Sequence, residues 1–233
     1  MKKVFASGSC RLLTTLHNGR GIIEPIHSCV RIFTGINFLG KLHNTKQHIQ
    51  FIQWLHDRIE VPPHILQAFL TSYSKSVGGI DDPSTLPTKK KAIREAFDEC
   101  EYYMIEVCSL KLYEKEGYQV QFELTHDYRT LVQSEESLYH DLQRLYAIVP
   151  PGKKLIFQTH FRPNIIYNDP SKAIEKREAI YKVVESFCKS HENVYLYDPS
   201  VLLQKDMSLY DRDTHFTEAG YAASFQYIYN TFL

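Results

Sequence analysis

The chain has 233 residues, with 27 Lys plus Arg matched by 27 Asp plus Glu and 43% hydrophobic residues; this suits one sizeable α/β domain with a full core. That balance excludes a disordered chain and argues against a binder of nucleic acid or another polyanion built on net charge. Five cysteines (Cys10, Cys29, Cys100, Cys108, Cys188) at irregular spacings, without a CxxC pair, fit reduced thiols rather than a disulfide framework or a zinc knuckle.

In chain order, Lys2-Lys3 precede an apolar stretch too short for a signal-peptide core, and no run reaches the roughly 18 apolar residues of a membrane span. The expectation is a soluble, cytoplasmic protein. Val4-Phe5-Ala6 stopped by Ser7-Gly8-Ser9-Cys10 and resumed by Arg11-Leu12-Leu13 reads as strand, tight turn and helix start. Residues 18–40 lack a clear period, with one short strand near Val30 to Phe33. Asn44-Thr45 caps a helix that runs through His56, with Ile49, Ile52 and Leu55 on one side; Pro62-Pro63 ends it, and residues 63–74 form another helix.

Ser76 to Lys91, with Gly78-Gly79, Pro83, Pro87 and a lysine run, reads as an exposed loop or hinge. Tyr102 to Cys108 has the continuous apolar pattern of a strand buried on both faces, interrupted by Glu106, which needs a partner or a pocket. Ser134-Glu135-Glu136 caps a helix bearing Leu138, Leu142 and Leu145, followed by a turn and the strand Leu155-Ile156-Phe157. A further helix (Ile174 to Phe187), a strand (Val194 to Tyr197) and an amphipathic helix from Thr217 to Phe232 complete the pattern. Strands alternating with helices imply right-handed βαβ units: a three-layer α/β/α sandwich around a central, mostly parallel sheet of about five strands.

In such a sheet, reactive groups collect beyond the carboxyl ends of the strands. Ser7-Gly8-Ser9-Cys10 places hydroxyls and a thiol on the first strand-to-helix turn, where backbone N–H groups can stabilise a thiolate or an oxyanion. Asp211-Arg212-Asp213-Thr214-His215, ahead of the last helix, supplies a histidine with a carboxylate two residues away that can orient its ring. Gln158-Thr159-His160-Phe161-Arg162 lies at another strand end, where His160 and Arg162 are candidates to bind an anionic or hydroxylated substrate. The histidines form no HxH or HxxxH pair, so no metal site is expected, and no cofactor-binding glycine loop is present.

VFASGSCRLL and DRDTHFTEAGY together resemble the nucleophile and Asp/His blocks of the SGNH/GDSL hydrolase superfamily. Gly8-Ser9-Cys10 is most similar to the GSCFA-type branch and to polysaccharide O-acetyltransferase-like proteins. The resemblance implies a single SGNH-like, flavodoxin-like domain over residues 1–233, with a helical, insert-like region at about 18–90. It implies Cys10, or failing that Ser9, as nucleophile, His215 as base and Asp213 as acid, with Asp211 as second choice for the acid. Two positions depart from the pattern: Arg212 stands three before His215, where the superfamily usually has Asp, and no Asn occurs near Val107 to Lys111. Gly8 and Ser109 are then candidates for the oxyanion site.

The leading expectation is an acyl-ester enzyme, esterase or O-acyltransferase, acting on an O-acylated carbohydrate or a sugar acceptor in polysaccharide modification. By resemblance alone, acetyl-CoA is admitted as acyl donor. A non-catalytic carbohydrate-binding or assembly protein on the same fold is the alternative, and a redox-sensing Cys10 is a third reading.

Overall fold

The computed structural model describes residues 2–16, 30–34, 42–70, 84, 86–211 and 215–233, with Cys10 and residues 30–34 described by backbone alone. Its first elements are β1 (Lys2–Ser7), α1 (Cys10–Thr14), β2 (Val30–Thr34), α2 (Thr45–Leu55), α3 (Pro63–Phe69) and α4 (Leu86–Glu99). Next come β3 (Tyr102–Val107), β4 (Lys111–Lys115), β5 (Tyr118–Gln119), β6 (Arg129–Val132) and α5 (Glu135–Ile148). The last part holds β7 (Lys154–Thr159), α6 (Pro163–Ile166), α7 (Glu175–Ser190), β8 (Val194–Tyr197), α8 (Ser200–Lys205), β9 (Tyr210–Asp211), β10 (His215–Phe216) and α9 (Glu218–Thr231).

Five strands form a parallel sheet in the order β2-β1-β3-β7-β8. The chain starts inside the sheet, adds β2 on one side, and then crosses back to lay down β3, β7 and β8 on the other. Alternation along the strands separates two cores. Phe5, Tyr103, Ile105, Leu155 and Phe157 face α2, α3, α4, α5 and α7, whereas Val4, Ala6, Met104, Ile156 and Tyr197 face α1 and α9. Helices thus cover both faces of the sheet, which is why its strands read as near-continuous apolar runs. Residues 30–34, inside the stretch that resembled an insertion, supply the edge strand of this sheet.

Two caps sit where the sequence places them. Ser134 accepts from the Ser137 N–H at the head of α5, and Thr217 accepts from the Gly220 N–H at the head of α9. Two expectations are corrected. The lysine run Lys89 to Lys91 belongs to α4 and not to a loop, because Pro87 is tolerated in a first helical turn and Ile93 and Phe97, four apart, turn one face to the core. The second helix of the pair after Pro62 ends at Phe69, with Leu70 already extended, and residues 71–74 of the expected helix lie outside the described residues. A three-stranded antiparallel sheet, β5-β4-β6, was not expected; it packs against the α2 side through Tyr113, Tyr118 and Val120. Among the described residues no helix is long and apolar enough to cross a membrane.

Candidate functional site

The site is built at the carboxyl ends of β1 and β3, where the direction of sheet growth reverses, the position at which open α/β sheets bind their ligands. The turn after β1 lies tightly on β3. A Cβ on Gly8 would stand 2.7 Å from the Glu106 Cβ and 3.0 Å from its Oε2, so only glycine lets the two backbones approach this closely. Gly8 therefore acts through its lack of a side chain. The Ser9 N–H donates to Glu106 Oε2 at 2.6 Å, and Arg11 from α1 holds Oε1 through both Nε and Nη2 at 2.8 Å. This ion pair is the partner that Glu106, fully buried in an apolar strand, requires. Burial alone raises the carboxyl pKa, but Arg11 and then the Ser9 donors outweigh it and hold Glu106 below the usual range, hence ionised.

Behind the turn lies a second buried relay. His48 of α2 donates from Nε2 to the Glu106 carbonyl at 2.8 Å; its Nδ1 is then bare and accepts the Ser7 hydroxyl at 2.9 Å. Burial lowers the His48 pKa to about 4, so this ring is a neutral structural link between β1, β3 and α2.

The predicted nucleophile positions fall at this edge. Cys10 is the first residue of α1, and its side chain lies outside the described set. Ser9, the N-cap of α1, is fully buried, and its hydroxyl makes no hydrogen bond of good geometry although the Glu106 carboxylate is close. The predicted base, His215, sits on the two-residue strand β10, which pairs antiparallel with β9 so that His215 lies directly across from Asp211. Opposed residues in such a ladder have their Cβ atoms about 5 Å apart. Asp213, the acid implied by the resemblance, lies outside the described residues.

The hairpin is anchored from below. Phe216 packs edge-on against Phe161 with ring centroids 4.9 Å apart, and Tyr210 packs against the same ring at 5.7 Å. Phe161 follows β7, so the histidine hairpin is fastened to the carboxyl edge of the sheet through a small core of Phe161, Ile166, Leu203 and Phe216. Gly220 completes the fit, since a Cβ there would collide with the Leu209 carbonyl and with Phe216.

The other predicted residues divide. Ser109, half-exposed after β3, accepts the Lys111 N–H at 3.0 Å. Its neighbour Cys108 has its sulfur 3.5 Å from His43 Nδ1. Arg162 is buried and committed: it pairs with Asp198 at 2.5 Å and Glu178 at 3.2 Å and lies 3.5 Å from the centre of the Tyr181 ring. Its charge is neutralised within the fold, so it links β7, β8 and α7. His160 is 8% exposed and donates Nδ1–H to the Phe161 carbonyl at 3.3 Å. Burial first, then Arg11 and Arg177, push its pKa down to about 2, so the ring is neutral and Nε2 is an acceptor.

Arg177 of α7, which sequence reasoning did not single out, donates Nη1–H to that same Phe161 carbonyl at 2.9 Å. Its only signal in the sequence was a basic residue in the first turn of a helix, opposite to what the helix dipole favours. Several buried polar groups at the edge have no partner among the described residues, in addition to Ser9 Oγ: both side-chain polar atoms of Gln158, which is in register with Glu106 on β3, and Thr159 Oγ1. Among the described residues no three His, Cys, Asp or Glu side chains group to hold a metal ion.

Residues 2–138 match the family described as the TviD N-terminal domain, so the match spans β1 through the start of α5 and includes the whole Ser7 to Cys10 turn. No curated protein and no solved structure matches the chain.

Proposed function

The chain belongs to the TviD N-terminal domain family, and from that premise we propose that it is a cytoplasmic acyl-ester enzyme of SGNH-like type, acting on an O-acylated carbohydrate or transferring an acyl group to a sugar hydroxyl. The observation that carries the reading is the joint position of two blocks far apart in sequence. The Ser9-Cys10 turn and the Asp211/His215 hairpin both stand at the carboxyl edge of one doubly wound sheet, the hairpin fastened there through Phe161. The burial of Ser9 favours Cys10 as the nucleophile.

In this mechanism Cys10 attacks the acyl carbonyl, the thiol proton passes to His215, and the leaving alcohol takes it back as the thioester forms. A carboxylate, Asp211 across the hairpin or Asp213 two residues earlier, holds the imidazole in the productive tautomer. Water or a sugar hydroxyl then releases the acyl group, with His215 as base. Acetyl-CoA suits the donor role in the transfer reaction.

The test is hydrolysis of p-nitrophenyl acetate, with and without a hexose acceptor, by the wild type and by Cys10→Ala, Ser9→Ala and His215→Ala. The reading expects losses of about 3 kcal/mol or more in activation free energy for Cys10→Ala and His215→Ala, and a much smaller one for Ser9→Ala. Turnover that survives both of the first two substitutions contradicts it. A carbohydrate-binding member without catalysis is the second reading. It is favoured by one observation, that the Ser9 N–H, a natural oxyanion donor, is already taken by Glu106.

A further inference from the structure

An acyl-transfer site needs a donor aimed at the oxygen where charge develops, and this edge has lost two of the expected ones. The Ser9 N–H is bound to Glu106, and no asparagine follows β3. The geometry points to Arg177 as the catalytic residue that donates to the oxyanion formed when the nucleophile at the start of α1 adds to an acyl carbonyl. This inference rests on the acyl-ester reading above.

Three observations support it. First, Arg177 is half-buried, yet among the described residues its one hydrogen bond is from Nη1 to the Phe161 carbonyl, and no carboxylate of those residues is within ion-pair distance. The contrast with Arg162 and Arg11, which occupy the same edge, is direct: each of those holds a buried carboxylate. A guanidinium has five N–H donors and does not lose its proton, so Arg177 keeps donors that no described residue occupies. Second, its charge neighbours come from each block of the site. Arg11 directly follows Cys10, Cys108 directly precedes Ser109, and Tyr210 directly precedes Asp211; burial and Arg11 lower the arginine pKa, while Tyr210 and Cys108 raise it. Third, the residue that shares its anchor is also incomplete. His160, more than nine-tenths buried, uses Nδ1–H on the Phe161 carbonyl, and its Nε2 has no hydrogen-bond partner among the described residues. One carbonyl thus orients a guanidinium and a neutral imidazole side by side, an arrangement that a ligand with an anionic oxygen and a hydroxyl would complete.

In the step itself, the sulfur–carbon bond forms, the carbonyl π pair moves onto oxygen, and the thiol proton goes to His215. Arg177 donates to that oxygen until the pair returns and the carbon–oxygen bond to the leaving alcohol breaks, the alcohol taking the proton from His215. Nothing is oxidised or reduced.

The experiment compares wild type, Arg177→Met, Arg177→Lys, Arg177→Ala and His215→Ala with p-nitrophenyl acetate, with and without a hexose acceptor, alongside urea unfolding midpoints. Loss of an oxyanion donor costs about 100-fold or more in kcat, with KM changed by less than about threefold. Arg177→Lys regains part of this, and free guanidinium at concentrations far below denaturing restores part of the activity of Arg177→Ala but not of His215→Ala. The proposal is overturned if Arg177→Met keeps kcat within about threefold while His215→Ala is inactive, or if the Arg177 variants lose activity only in step with their unfolding midpoints and guanidinium restores none. A wild type without acyl turnover under either condition overturns the acyl-ester reading and this inference with it, a result distinct from the failure of Arg177 alone.

Discussion

At the scale of single residues, the edge of the sheet is dominated by one buried charge and the groups that make it tolerable. Glu106 is ionised because Arg11 and the Ser9 N–H reach it, and both come from the turn on which the nucleophile sits. Removing one partner of a buried pair leaves the other charge uncompensated, so Arg11→Met is expected to cost about 3–5 kcal/mol of stability. The double variant Arg11→Met/Glu106→Gln costs less than the sum of its singles, as a denaturant double-mutant cycle would read. His48 gives a pH signature. Its folded pKa of about 4 lies below the unfolded value of 6.5, so the unfolded chain binds more protons between these limits. The stabilisation is therefore complete above about pH 6.5 and falls progressively as the pH drops toward 4, by about 3 kcal/mol in all. His160 is depressed in the same direction and steepens the same decline, and Glu106, whose folded pKa is lowered, adds a further loss only below its ordinary value of 4.5. Urea midpoints from pH 7.5 to 4 should fall for the wild type. For His48→Gln the slope should be shallower, leaving the share due to His160 and to His56, which burial also lowers.

At the scale of elements, the hairpin of β9 and β10 is the part on which the site depends most, and each of its strands is two residues long. The edge-on contacts of Phe216 and Tyr210 with Phe161 anchor it to the sheet. Phe216→Ala should cost about 3–5 kcal/mol and lower kcat by displacing His215, while Tyr146→Ala, on the far side of α5, should leave kcat unchanged; paired kinetics and unfolding would show the difference. Much of this scale was legible in the sequence. Ser134 and Thr217 announced their helices by capping chemistry, and the apolar runs of β3 and β7 announced buried parallel strands. Helix α4 was not, because Pro87 and three lysines resemble a loop until Phe97 finds its place against Phe5 and Tyr103. The antiparallel sheet had one signal that went unread: Glu116-Gly117, both with positive φ, forms the two-residue turn between β4 and β5.

At the scale of the whole molecule, sheet topology converts distant sequence blocks into one edge. Strands β1, β3 and β7 point their carboxyl ends the same way, so the turn after β1, the Cys108-Ser109 segment and the His160-Phe161 segment converge without any of them being adjacent in sequence. Motif reading located those three segments, since each is a strand end. It could not locate Arg177, because which face of a helix turns toward the edge depends on how α7 packs over β7 and β8, and it could not know that Arg162, next in sequence to Phe161, is neutralised by Asp198 and Glu178. The central claim is that this edge forms a covalent acyl intermediate on Cys10. The most direct measurement is mass spectrometry of the intact protein and its peptides after brief exposure to p-nitrophenyl acetate, quenched in acid. The account predicts one acetyl group, carried by the peptide containing Cys10 in the wild type and absent from Cys10→Ala. Acetylation confined to other residues, or an equal yield in wild type and Cys10→Ala, would contradict it.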